Sequence, residues 1–279
     1  MTMPQIIHFT HLDTPDRETT LLNELEALLG DRAGWQVVKD NARNLICYHP
    51  ADRLYFKSFD HSSAGETLKR ALRGSRARRT LLGTRLLQEA GCLAPDVVAC
   101  GTLLHQDFVV MEDLDGPQLL NALHSYLQEP ERRAWRRQLY RALGQTIGTL
   151  HAARIAHGDL RPNNVIIHPG KDGYRLGLID NERTRRPVRF RREQLRNLKQ
   201  IMLLDERYIT AAERRTFFAA YFSRFPQGHR LQRSRAAQRA IQRTVIDEVQ
   251  AHFSRRAPVS GTPIPPEGWQ ALAGLGPAS

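Results

Sequence analysis

The 279 residues, 41% of them hydrophobic, make enough chain of ordinary composition for one or two packed domains. No apolar run approaches the roughly 18 residues of a membrane span. The first residues have neither a basic flank nor an apolar stretch and do not read as a secretory signal. Cys47, Cys92 and Cys100 lack the Cys-x-x-Cys spacing of a zinc site, so buried thiols in a reducing compartment are expected. A net charge of +12 favours polyanionic partners: nucleic acid, an anionic membrane face or a phosphorylated glycolipid.

In chain order, Thr14-Pro15 opens a helix whose apolar face is Leu21, Leu22, Leu25, Leu28 and Leu29, and Gly30 ends it. Residues 1–34 are therefore expected to form a helical extension. Three short strands are predicted over 35–38, 45–48 and 54–59, with turn residues between them. Only five of the 41 basic residues are lysine, so Lys57 inside an apolar strand is unlikely chance. The 40–44 turn has no glycine; Asn41 and Asn44, which tolerate left-handed backbone, are the stand-ins. A helix follows over 75–91, with Leu81, Leu82, Leu86 and Leu87 on one face and Gly91 as its cap. Strands at 97–99 and 108–111 lead to the turn-rich joint Glu112-Asp113-Leu114-Asp115-Gly116. A short helix over 119–127 precedes a long one over 131–153, whose stripe Trp135, Leu139, Leu143, Ile147 and Leu150 reads as core.

The long helix delivers the chain to His157-Gly158-Asp159-Leu160-Arg161-Pro162-Asn163-Asn164. Gly158 and Pro162 forbid a helix, so Asp159 and Asn164 lie on a loop. The apolar runs Val165-Ile166-Ile167 and Leu176-Gly177-Leu178-Ile179 flank Pro169-Gly170-Lys171-Asp172-Gly173 and read as a hairpin. The hairpin returns Asp180 to Asn164. Phosphoryl transfer needs such a set: a carboxylate to take a hydroxyl proton, and hard oxygens for a magnesium ion that neutralises phosphate charge. The spacing is that of the kinase catalytic loop, His-x-Asp-x-x-x-x-Asn, with a second Asp after the next hairpin. In that frame Lys57 is the strand lysine that meets the nucleotide phosphates, and Arg161 is placed to reach the transferred phosphate. His157 fits a scaffold role better than that of a base. The helix glutamate that would hold Lys57 is not settled between Glu66 and Glu89.

The same run, followed by Ile179-Asp180-Asn181-Glu182-Arg183-Thr184, resembles the bacterial lipopolysaccharide kinases, in which the usual Asp-Phe-Gly is replaced. The stretch Arg192-Glu193-Gln194-Leu195-Arg196-Asn197-Leu198 is similar to that family as well. The resemblance runs from about Trp35 to Phe225 and is tight over 157–184. It implies an α+β, two-lobed protein-kinase-like fold with a small β-rich N-lobe (35–112) and a larger helical C-lobe (113–256). It implies ATP as donor, Mg2+ as cofactor, and a heptose or Kdo hydroxyl of the lipopolysaccharide inner core as acceptor. It makes Asp159 the catalytic base and puts Asn164 and Asp180 on the metal. It implies a cytoplasmic protein at the inner face of the inner membrane.

Glu182 reads either as a further metal oxygen or as a surface carboxylate paired to an arginine. Seven arginines between Arg183 and Arg196 suit an anionic acceptor or membrane face. They are not interleaved with exposed-looking aromatics, so nucleic acid is not expected. Two or three further helices close the domain. The stripe Phe217, Phe218, Tyr221, Phe222 and Phe225 reads as core, as does Ala237, Ile241, Val245, Val249 and Phe253. Residues 257–279 read as a loosely ordered tail. A kinase for another small-molecule or protein hydroxyl, and an inactive scaffold binding anionic surfaces, are the competing readings.

Overall fold

The computed structural model describes residues 5–9, 23, 25, 28, 32–41, 44–60, 74–103, 106–125, 133–170 and 173–255. Among the described residues, six antiparallel strands lie in the first lobe: β1 (Gln5–Phe9), β2 (Gln36–Asn41), β3 (Asn44–His49), β4 (Leu54–Asp60), β5 (Val97–Leu103) and β6 (Gln106–Glu112). Their order is β1-β5-β6-β4-β3-β2. Helix α1 (Arg76–Glu89) is capped by Ser75, whose hydroxyl accepts from Arg78 N, and ends before Gly91 at φ 76.

The period of two along β4 decides where Lys57 points. Leu54 and Phe56 join a cluster with Trp35, Cys47, Val98 and Phe108 on one face. Lys57 shares the other face with Phe59, which packs with Ala77 and Leu81 of α1, Cys100 and Val109. Lys57 therefore stands under α1 rather than on the outer surface. Leu82 does not join its three neighbouring leucines at the interior and is 47% exposed.

The expectation of a purely helical segment over 1–34 needs correction. Gln5–Phe9 is a strand that pairs antiparallel with β5, Gln5 opposite Thr102 and Phe9 opposite Ala99. Five residues carry too little periodicity to announce a strand; the open edge of β5 supplies the partner. Residues 23, 25 and 28 are helical, and Leu25 and Leu28 are buried in the outer cluster of the sheet. The remainder of that helix, Glu66 and the 257–279 tail lie outside the described residues.

The second lobe comprises α2 (Leu119–Ser125), α3 (Arg133–Ala152), the hairpin β7 (Val165–Gly170) and β8 (Gly173–Leu178), α4 (Phe190–Ile201), α5 (Ala211–Phe222), the short α6 (Arg230–Arg233) and α7 (Arg235–Ser254). The expected stripe of α3 is core: Leu139, Leu143, Ile147 and Leu150 are fully buried. They share one cluster with Phe217, Phe218, Tyr221, Phe222 and Phe225, and with Ile241, Val245 and Val249 of α7; Phe253 alone faces water. The joint between lobes is tied on both sides. Asp113 N donates to Arg53 O at 2.8 Å, and His168 Nδ1 donates to Leu114 O at 2.9 Å.

Candidate active site

The catalytic loop is shaped by two residues with special backbones. Gly158 has φ 80 and lies so close to Arg183 that a side chain would not fit. Pro162 opens the 3-10 turn Pro162–Asn164, where its missing N–H is not needed. Asn164 N then donates to Arg161 O at 2.9 Å, and Asn164 Nδ2 to Asp159 O at 2.9 Å. The hairpin register, Val165 opposite Leu178, brings the chain back, and Ile179 N donates to Asn164 O at 3.0 Å. Asp159 and Asn164 are thus bonded directly, and Asp180 follows a residue bonded to Asn164.

Lys57 reaches this loop from the other lobe. Its Nζ lies 2.6 Å from Asp180 Oδ1, with both side chains partly buried. Burial pushes the Asp180 carboxyl up, but the Lys57 charge and hydrogen bond, helped by the Arg76 charge, override it and hold the group below the ordinary carboxylate value. Asp180 is ionised at neutral pH and sits in left-handed backbone, φ 63 and ψ 50. Asp159 Oδ1 receives Arg161 Nε at 2.9 Å and Gln200 Nε2 at 3.3 Å. Each of the two carboxylates therefore meets a cation predicted for this site.

His157 is fully buried and holds the loop rather than facing the cleft. Its Nε2 donates to Ile179 O at 3.0 Å and to Asn181 Oδ1 at 3.1 Å, while its backbone N donates to Asn197 Oδ1. Burial pushes its pKa down, opposed by the Asp180 charge, so the ring is neutral. Asn197 Oδ1 also meets His151 Nε2 at 3.4 Å, and Tyr221 Oη donates to His151 Nδ1 at 2.9 Å.

The oxygens for a divalent ion fit that use. Asn164 has committed its amide nitrogen to Asp159, leaving Oδ1 without a partner among the described residues. Asp180 gives Oδ1 to Lys57 and keeps Oδ2. No cluster of three or more His, Cys, Asp or Glu suited to a metal occurs among the described residues. Two protein oxygens with the rest of the shell from phosphates and water is the usual arrangement for Mg2+.

The structure departs from the sequence reading at several residues. Glu182 is neither a surface group nor a free metal oxygen. It is buried, and Arg76 Nε and Nη2 occupy Oε2 and Oε1 at 2.7 and 3.0 Å. Glu89 is exposed at the far end of α1 and does not hold Lys57. Asn41 and Asn44 are not left-handed; Asn41 Oδ1 instead accepts from Asn44 N at 2.9 Å. Gln200, Asn197 and Arg76 were given no role from the sequence, Asn197 standing there only within the family-like Arg192 to Leu198 stretch. The one signal for the first two was their spacing on a helix beside a conspicuous polar run.

A model of the Lipopolysaccharide kinase (Kdo/WaaP) family matches residues 20–221. The chain belongs to that family. The match is to a family of kinases. The fold is shared with WaaP in complex with acyl carrier protein, at TM-score 0.58 and 20% identity over 78% of this chain and 88% of that one. It is shared also with an aminoglycoside phosphotransferase, APH(3'')-Id of Streptomyces rimosus, at TM-score 0.52 and 15% identity over 83% and 98%. The chain is 36% identical over 98 residues to a probable bifunctional tRNA threonylcarbamoyladenosine biosynthesis protein of Methanospirillum hungatei. That match covers 34% of this chain and only 16% of the relative. No helix among the described residues is long and apolar enough to cross a membrane.

Proposed function

We propose that this protein transfers the γ-phosphoryl group of ATP to a heptose or Kdo hydroxyl of the lipopolysaccharide inner core. The observation that carries the reading is the meeting of Lys57 with Asp180 at 2.6 Å beside an Asn164 bonded to Asp159. Asp159 orients the acceptor hydroxyl and takes its proton as the oxygen attacks phosphorus. Asn164 and Asp180 would hold Mg2+, and the ion would neutralise charge on the phosphates. Lys57 and Arg161, which balance the carboxylates in the free protein, are the groups that meet the nucleotide and the transferred phosphate.

The arginine run supports an anionic acceptor. It begins beside the catalytic loop, where Arg185 and Ala156 exchange backbone bonds of 3.0 and 2.9 Å. Arg185 pairs with Glu193, but Arg189 and Arg192 are exposed and have no side-chain partner among the described residues. Between Arg186 and Arg189, Val188 is 99% exposed. Guanidinium groups around a bare apolar side chain suit the charged face of the inner membrane, where a core glycolipid is presented on the cytoplasmic side. The fold shared with the aminoglycoside phosphotransferase raises a second reading, a soluble small-molecule acceptor; a cationic one would be repelled by these arginines.

Labelled ATP and core-truncated lipopolysaccharide test the proposal. Wild type should label the glycolipid and Asp159→Asn should not. Equal labelling by the two proteins, or efficient labelling of an aminoglycoside with the glycolipid untouched, would overturn it. Mass spectrometry of core sugars from a strain lacking the protein would then name the sugar.

A further inference from the structure

Helix α1 is fastened to the two residues after Asp180 by side chains outside the proposed chemistry. The Arg76–Glu182 pair is two-pronged, with the carboxylate 8% exposed. The Arg76 guanidinium lies 4.5 Å from the centre of the Phe59 ring, and Lys57 Nζ lies 5.2 Å from the same ring. Arg76 N donates to Asp107 Oδ2 at 3.2 Å, which fixes the start of α1 to the sheet. Asn181 Nδ2 donates to Thr84 Oγ1 at 3.0 Å. Between these, Gly83 approaches so closely that a Cβ would overlap the carbonyl oxygen of Asn181.

Asp180 itself is in a left-handed backbone conformation that is unfavourable for a non-glycine residue and persists only where its flanks impose it. The upstream flank is imposed by the β7–β8 register. The downstream flank is imposed by His157 through Asn181 and by α1 through Asn181 and Glu182. With both Glu182 oxygens engaged, that carboxylate also stays out of competition for the cation that Asp180 attracts.

We propose that the Arg76–Glu182 clasp sets the position of Asp180, so that docking of α1 and formation of the magnesium-nucleotide site are one event. Arg76 and Glu182 are positioning residues. The inference rests on the phosphotransfer reading of Asp180 but can fail separately from it.

Hydrogen–deuterium exchange of the full chain without nucleotide gives the first test. Glu182→Gln should raise exchange together in 76–89 and 180–184. The second is the Mg2+ dependence of nucleotide binding, read as thermal stabilisation by Mg-ADP, and of transfer. Loss of an outer partner of a metal ligand weakens metal affinity about ten- to hundred-fold, so the midpoint for Mg2+ should rise by that factor. Arg76→Gln should do the same, and the double variant should be no worse than either single one. Should Glu182→Gln fail to fold, Arg76→Lys, which keeps the charge but loses the two-pronged fit, takes its place in both measurements. A purely structural pair would lower the melting temperature and leave the Mg2+ midpoint unchanged, and that outcome overturns the proposal. So does additivity of the two single effects. Loss of transfer in Asp159→Asn with an unmoved Mg2+ midpoint in Glu182→Gln would keep the kinase reading and remove the clasp.

Discussion

The catalytic loop and the β2–β3 ribbon belong to one cleft-forming fold and are built on opposite terms. Around the loop, polar side chains are buried and bonded to one another, with His157 Nδ1 left without a partner among the described residues. Gln194 donates to Tyr221, Tyr221 to His151, and Asn197 accepts from both His151 and the backbone of His157. On the ribbon, every residue of β2 is exposed, and Val37 and Val38 face water at 47% and 58%. Its Arg32–Asp40 pair is exposed at both ends. A buried network in low dielectric holds its members rigidly, whereas a solvated pair contributes about 0–1 kcal/mol. Order around the carboxylates is thus imposed by buried side chains, whereas the exposed edge of the sheet is held by backbone pairing of β2 with β3. A glycine-rich phosphate cover is not needed to place Lys57, because Lys57 is placed by the inner face of β4 and by Asp180.

Four measurements would break or sharpen that contrast. Replacing the carboxylates should have the largest effect. Asp159→Asn should reduce the transfer rate about 10²–10⁴-fold, the usual worth of a general base. Asp180→Asn should be at least as damaging, because the charge that gathers the cation is lost; near-normal rates in either would dissolve the site.

Acidification should act next. His151 is buried, and burial pushes its pKa down from 6.5 to about 4. The unfolded chain takes up a proton at about pH 6.5 while the folded chain does not until about pH 4. Stability from this group is therefore complete above pH 6.5 and falls on acidification through that window, at about 1.4 kcal/mol per pH unit and on the order of 3 kcal/mol in all. Denaturant melts at pH 7 and pH 4.5 should show the loss, and His151→Gln should show less of it. An equal pH response in the variant would mean that the network is not what acid attacks.

Asn197→Ala removes the acceptor shared by His151 and the His157 backbone. It should cost about 1–3 kcal/mol, the penalty of buried donors left unpaired. It should also slow transfer while leaving the substrate KM nearly unchanged. The smallest effect is expected on the ribbon, where Val38→Thr should stay within about 0.5 kcal/mol. A drop as large as that of Asn197→Ala would erase the distinction between the two regions.

Much of the site was legible without coordinates because local spacing carries it. Asp159 and Asn164 are five apart on a loop whose backbone is dictated by Gly158 and Pro162. Asp180 follows a hairpin whose turn is equally explicit. Lys57 stood out as a charge in an apolar strand. What went unread depends on residues distant along the chain. Arg76 and Glu182 are 106 positions apart, and each alone is an unremarkable charge. Asn197 and Gln200 are ordinary polar residues on an arginine-rich helix until its packing turns them to the loop.

The amino-acid order by itself determined the elements that chemistry and periodicity impose: the apolar stripes of α3 and α5, the loop of Asp159 to Asn164, the hairpin that returns Asp180, and the alternation that sets Lys57 opposite Leu54 and Phe56. Only the tertiary structure decided which groups meet. Lys57 with Asp180, Arg76 with Glu182 and β1 with the open edge of β5 are pairings between charges or backbone groups that have many possible partners along the chain. Charge and hydrogen-bonding capacity carry no address; packing supplies it, because burial leaves each such group only the partner within reach.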